Sequence, residues 1–239
     1  MKPILIIKAG STYPTIQQHY GDFDQWIARG IGDMAVRVVD PMSRMQLPDP
    51  AQLGGVIISG SHAMLTEQLP WMRRLSGWLA EVVASPARIP ILGMCFGHQL
   101  LGTVLGGRVA DNPLGMEMGT VAVRLTEAGY QDPLVGQLRT HPWVQVMHRQ
   151  SLIKPPPQAT VLASNNHDAC QAFRVDDHIW GLQFHPEFDA DIMRAYLQAL
   201  RAQGMPEWRL NTAMDGVREC EDANNLLRTF ADHSRHAAA

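Results

Sequence analysis

The sequence predicts a single α/β domain, and three observations carry that reading. Short apolar runs rich in β-branched residues, at 3–8, 35–39 and 55–59, alternate with segments of helical periodicity at 22–29 and 69–84; this is the order of strands joined by crossover helices. Residues 89–107, whose centre is Gly-Met-Cys-Phe-Gly, read as strand, tight turn and helix with no linker between them. The 239 residues are 46% hydrophobic and 18% charged, enough for a sizeable core and suited to one α/β unit.

Each element has a local reason. Residues 3–8 form a buried strand, and 9–14, small and hydroxyl-rich, a loop at its C-terminal end. The 22–29 helix turns Phe23, Trp26 and Ile27 inward. The strand at 35–39 ends at Asp40, which either caps a turn or touches substrate. Residues 42–52, with Pro48 and Pro50, form a loop, and the strand at 55–59 runs into Ser59-Gly60-Ser61-His62, with His62 on the surface. In the 69–84 helix Met72, Leu75, Leu79 and Val82 recur at helical spacing, and Trp71 and Trp78 serve packing. Pro86 and Pro90 bracket the return to the strand before Cys95, and the helix behind it covers 96–105. Further strands are expected at 108–111, 120–126, 144–147, 160–163, 170–175 and 179–184, with Asp176-Asp177 turning between the last two. Pro155-Pro156-Pro157 is a spacer too short to mark a second domain. Asp189 N-caps a helix over 189–201. The core then ends near 203. An extension over 204–232 holds a helix near 216–230 that either covers the sheet or makes a subunit contact, and 233–239 is a frayed tail.

Two stretches carry chemistry. In Gly93-Met94-Cys95-Phe96-Gly97 the glycines let strand and helix come close, and the turn places a thiol at a helix N-terminus, where thiolate is favoured. The geometry is that of the G-x-S-x-G elbow with sulfur for oxygen. Far downstream, Phe184-His185-Pro186-Glu187 ends a strand. There the carboxylate of Glu187 can orient the imidazole of His185, and the imidazole can deprotonate Cys95, as nucleophile, base and orienting acid. His98 and Cys170 read as structural.

Gly-Met-Cys-Phe-Gly-His-Gln together with Phe-His-Pro-Glu resembles the class I glutamine amidotransferases of the Cys-His-Glu type, over roughly residues 1–200. The stand-alone proteins similar to the amidotransferase domain of GMP synthase, and plant γ-glutamyl peptidases, belong to that group. The resemblance implies a three-layer α/β/α, flavodoxin-like fold with a mixed, mostly parallel sheet. It implies an oxyanion hole from Gly60 and Phe96, and substrate contacts from Ser61 and Gln99, the latter one helical turn past Cys95. At 112–119 it implies a loop holding the amino-acid end of the substrate, where Glu117 is either an α-amino contact or a solvated acid; His148 stands at the rim. Glutamine, or a γ-glutamyl compound, is the small-molecule substrate implied, with no metal or cofactor and a synthetase accepting ammonia in trans as partner.

Composition narrows the classes further. A net charge of −3 offers no electrostatic case for nucleic acid or anionic membrane. No apolar run reaches membrane-helix length, and the first residues read as a strand rather than a signal peptide. Cys95, Cys170 and Cys220 are widely separated, which fits a reducing cytoplasm better than a disulfide framework or zinc site.

Overall fold

A computed structural model describes residues 2–43 and 47–237. In chain order it contains β1 (Ile4–Ile7), α1 (Pro14–Tyr20), α2 (Phe23–Ile31), β2 (Val36–Val39), β3 (Gly55–Ile58), α3 (Pro70–Ala84), β4 (Ile91–Met94) and α4 (Phe96–Val104). There follow β5 (Arg108–Asp111), β6 (Glu117–Ala122), β7 (Arg124–Leu125), α5 (Glu127–Gln131), β8 (Trp143–His148), β9 (Gln150–Lys154), β10 (Thr160–Ser164), β11 (Ala172–Val175) and β12 (Ile179–Leu182). Three helices end the chain: α6 (Ala190–Ala202), α7 (Glu207–Gly216) and α8 (Glu221–Ala237).

The central sheet has eight strands in the order β2-β1-β3-β4-β12-β11-β10-β7. The first five run parallel and the remaining pairings are antiparallel. Side chains alternate across β1. Ile4 and Ile6 pack with Ile27, Ile31, Leu226 and Phe230 on one face, while Leu5 and Ile7 pack with Trp71, Leu75, Leu79 and Leu100 on the other. α2 and α8 therefore form one outer layer and α3 and α4 the other, the three-layer arrangement expected. Two short antiparallel pairs, β5–β9 and β6–β8, stand apart from this sheet.

Several local expectations meet differences. Of the two alternatives for the extension, covering the sheet is the one seen, because Ala223, Leu226, Leu227, Phe230 and Ala231 are buried in the main core. The tail does not fray at 233. α8 continues to Ala237, with Ser234 buried and His233 against Trp180; residues 238–239 lie outside the described residues. The described part of the 42–52 loop contains a 3-10 turn at Pro50–Gln52; residues 44–46 also lie outside the described residues. α1, α5 and α7 were not predicted, nor was β9. Asp40 caps a turn, its carboxylate accepting from Met42 N at 2.7 Å. Asp176 turns the β11–β12 hairpin with φ of 53°.

Candidate active site

Residues 95 and 185 meet because β4 and β12 are parallel neighbours, with Met94 opposite Leu182. Each residue stands just past the C-terminal end of its strand, the edge where open parallel sheets hold ligands. The two strand ends are also pinned: Cys95 N donates to Leu182 O at 2.8 Å and His185 N to Gln145 O at 2.8 Å. Cys95 is the N-cap of α4 and has φ 49° and ψ −104°. A non-glycine residue at positive φ carries strain, which a surrounding structure must hold in place.

The imidazole of His185 is buried. Its Nδ1 lies 2.8 Å from Glu187 Oε1, and the ring stacks on Phe188 at 4.2 Å and on Phe23 at 6.4 Å. With Nδ1 taken by Glu187, Nε2 is the ring nitrogen left for Cys95. Burial alone would make the imidazole a weaker base. The charge of Glu187, then that of Cys95, and the hydrogen bonds from both reverse this and push His185 up to about 10. The thiol also reaches Met147 O at 3.6 Å. Burial pushes the other two thiols, Cys170 and Cys220, up to about 12, so neither competes as a nucleophile at neutral pH.

Gly60 follows β3, the other neighbour of β4. A Cβ there would lie 2.9 Å from His185 Cε1 and 3.4 Å from Phe23 Cε1, so a side chain would crowd the imidazole. Ser59 fixes this loop by accepting from Ala9 N at 3.0 Å and donating to Gly60 O at 2.8 Å. Phe96 is the first residue of α4, a position where the backbone N–H has no intrahelical acceptor.

Cys95 and Phe96 border a cleft of about 240 Å³, which Ser61, Gln99 and His148 also line; Gly60, His185 and Glu187 lie behind this lining rather than in it. Ser61 Oγ accepts from Ala63 N at 3.1 Å. Gln99 does face the Cys95 side, but its Nε2 is occupied by Gln150 O at 2.8 Å and Gln183 Oε1 at 3.1 Å. Only its carbonyl oxygen is left without a protein partner among the described residues.

Glu117 is a correction on both of the alternatives read from sequence. It is neither solvated nor free to take an α-amino group, but buried at the start of β6 with both oxygens engaged. Oε2 accepts from Gln171 at 2.8 Å and lies 2.8 Å from His148 Nε2, and Oε1 accepts from Asn165 at 2.6 Å. Burial opposes its charge, yet the His148 contact holds its carboxyl below the usual range. His148 is consequently fixed from both sides, its Nδ1 lying 3.0 Å from Gln150 O.

Sequence reasoning passed over Arg149 and Gln150, which line the cleft beside His148; the polar run closing a β-strand was the available signal. It also passed over Tyr13 and Tyr196. His62 is exposed as expected, but it is exposed into the cleft, its ring tilted 37° against that of Tyr13 with centroids 4.4 Å apart. Among the described residues no group of three or more His, Cys, Asp or Glu is arranged to hold a metal, and no helix is long and apolar enough to cross a membrane.

Comparison with known proteins bears on the family and the fold. The family model for glutamine amidotransferase class-I matches residues 16–200. A glutamine amidotransferase-like protein of Schizosaccharomyces pombe is 28% identical over 162 residues, covering 68% of this chain and 64% of that protein, so this chain spans just under two thirds of that relative. A glutamine-hydrolyzing GMP synthase subunit from Halobacterium salinarum is 28% identical, over 74% of this chain and 89% of that one. Gamma-glutamyl peptidase 2 of Arabidopsis thaliana is 27% identical, over 89% and 87%. Among solved structures, a glutamine amidotransferase from Thermotoga maritima superposes with a TM-score of 0.74 at 22% identity, over 98% of this chain and 97% of that one, which places the fold in the flavodoxin-like class.

Proposed function

The chain belongs to the class I glutamine amidotransferases, and from that premise we propose that it cleaves the side-chain amide of glutamine through a thioester on Cys95, releasing glutamate and ammonia. The observation that carries this is the Glu187–His185 contact at 2.8 Å with Cys95 on the neighbouring strand end. In the resting pair the thiol proton already sits on His185, whose charge Glu187 and the Cys95 thiolate sustain, and the sulfur attacks the amide carbon. The N–H groups of Gly60 and Phe96 receive the developing oxyanion; removing one such donor costs about 100- to 1,000-fold in rate. The imidazolium, held protonated well above neutral pH by Glu187, gives its proton to the departing nitrogen as the C–N bond breaks. Water, deprotonated by the same ring, then breaks the C–S bond and frees glutamate.

Glu117 and His148 hold the polar wall of the cleft, and Ser61 and Gln99 contact substrate. The chain acts as one domain over 1–239, in the cytoplasm, where its three free cysteines persist. A synthetase binding in trans would receive the ammonia. A second reading, cleavage of γ-glutamyl peptides by the same three residues, is favoured by the breadth of the match to Gamma-glutamyl peptidase 2.

Mass spectrometry after brief exposure to glutamine or a γ-glutamyl dipeptide tests the proposal. A γ-glutamyl adduct on Cys95 is expected, with no adduct and no turnover in Cys95→Ala. Turnover retained by Cys95→Ala would overturn it.

A further inference from the structure

The lining of the cleft combines two chemistries: polar side chains from Gln99, His148, Arg149 and Gln150, and rings from Tyr13, His62 and Tyr196. Free glutamine uses only the first kind. Its amino-acid end needs polar partners, and ammonia, small and strongly hydrated, gains nothing from an aromatic wall.

The position of the rings identifies their role. The leaving nitrogen takes its proton from His185 Nε2 and must depart beside that ring. Gly60 abuts the Cε1 edge of the imidazole, and the same loop continues through Ser61 to His62. From the imidazole a continuous file of rings leads outward. Phe188 lies 4.2 Å from His185, Tyr196 4.9 Å from Phe188, and Tyr13 and His62 5.5 and 6.0 Å from Tyr196. The ring wall is thus joined to the proton donor through buried Phe188.

The wall is also built in advance. The Tyr196 hydroxyl accepts from Thr12 Oγ1 at 2.7 Å, and Thr12 N donates to buried Asp22 at 2.9 Å. Asp22 is in turn held by Lys8 Nζ at 2.7 Å and by Phe23 N. This network fixes the loop carrying Tyr13 against α6. His62 adds no charge at neutral pH, because its partial burial and then the neighbouring His185 charge push its pKa down, outweighing Asp22.

We propose that Tyr13, His62 and Tyr196 form a leaving-group subsite for apolar or aromatic amines. The preferred substrates are γ-glutamyl amides or peptides with a large apolar group just beyond the scissile bond. This rests on the thioester reading above and sharpens it. The step balances as before: the C–S bond forms, the C–N bond breaks, and the amine leaves with the His185 proton.

The test compares kcat/KM for γ-glutamyl-phenylalanine and γ-glutamyl-glycine, whose scissile bonds are chemically alike, in wild type, His62→Ala, the Tyr13→Ala/His62→Ala double variant and Tyr13→Phe. Both substrates are measured on one sample, so the ratio does not depend on the fraction of protein that folds. Wild type should favour the phenylalanine substrate by at least about tenfold, the scale of pocket discrimination between apolar groups. His62→Ala should lower the ratio, the double variant should bring it near one, and Tyr13→Phe should keep it. A wild-type ratio near one, or a ratio unmoved in His62→Ala and the double variant, overturns the subsite. Should an adduct form on Cys95 and glutamine turn over while phenylalanine is not preferred, the subsite fails alone. Should no amide turn over and no adduct form, the thioester reading fails with it.

Discussion

Replacing Gly97 by alanine tests the close approach on which the elbow depends. Gly97 is the second residue of α4, and a Cβ there would stand 2.3 Å from the carbonyl oxygen of Ile58, 2.8 Å from its Cβ and 2.9 Å from its carbonyl carbon. The obstacle is chiefly backbone, at the end of β3 inside the eight-stranded sheet, and no rotamer change removes it. Moving the nearest atom from 2.3 Å out to the 3.0 Å that Cβ contacts tolerate parts α4 from β3 by at least 0.7 Å. Overpacking of this kind costs about 1–3 kcal/mol, or roughly 2–12 °C in Tm at about 2–4 °C per kcal/mol for a chain of this size. The displacement falls between Cys95, at the start of α4, and Gly60, two residues past the end of β3. A shift approaching 1 Å at a reacting centre costs about 100-fold in rate, equal to about 2.7 kcal/mol in the barrier. Thermal unfolding and kcat/KM for amide cleavage measure the two effects on one preparation. A variant within about 1 °C of wild-type Tm and about threefold of its kcat/KM would refute the reasoning.

Two further predictions concern charge and packing. The elevated pKa of His185 means that its protonation stabilises the fold fully below about pH 6.5, the unfolded value, and that this stabilisation is lost as pH rises through about 10. Wild-type Tm should therefore fall across that window. Glu187→Gln should flatten the fall, because burial is then opposed mainly by Cys95 and the ring loses its proton at lower pH; kcat at neutral pH should drop about 100- to 10,000-fold. An unchanged Tm profile in the variant would contradict this. In α8, Phe230 is buried with its ring edge-on to Trp180 at 6.4 Å, so Phe230→Ala should cost about 3–5 kcal/mol in denaturant unfolding. A cost below about 1 kcal/mol would show that α8 is not part of the core.

Much of the candidate site was legible because its marks are local. A strand that turns at once into a helix leaves glycines around the turning residue, and Gly93 and Gly97 mark Cys95 in that way. His185, Pro186 and Glu187 are adjacent in sequence, and their pairing through Nδ1 is short-range. The periodicities that predicted β1, β3, α3 and α6 are likewise properties of a few consecutive residues. α1, of seven residues, and the weakly amphipathic α7 were too slight to leave such a pattern.

What the sequence alone determined, then, was the alternation of strand and helix and the candidates for a nucleophile, a base and its carboxylate. Folding in three dimensions decided the environment of each side chain. Glu117 looks like a loop acid until Asn165 and Gln171, 48 and 54 residues away, close on it beside His148. Tyr13, His62 and Tyr196 look like a loop, a surface and a core residue until they become one wall of the cleft. The reason is that turns and periodicities follow from the stereochemistry of neighbouring residues, whereas burial, hydrogen-bond partners and the electrostatics that tune His185 depend on which distant strands the sheet sets side by side.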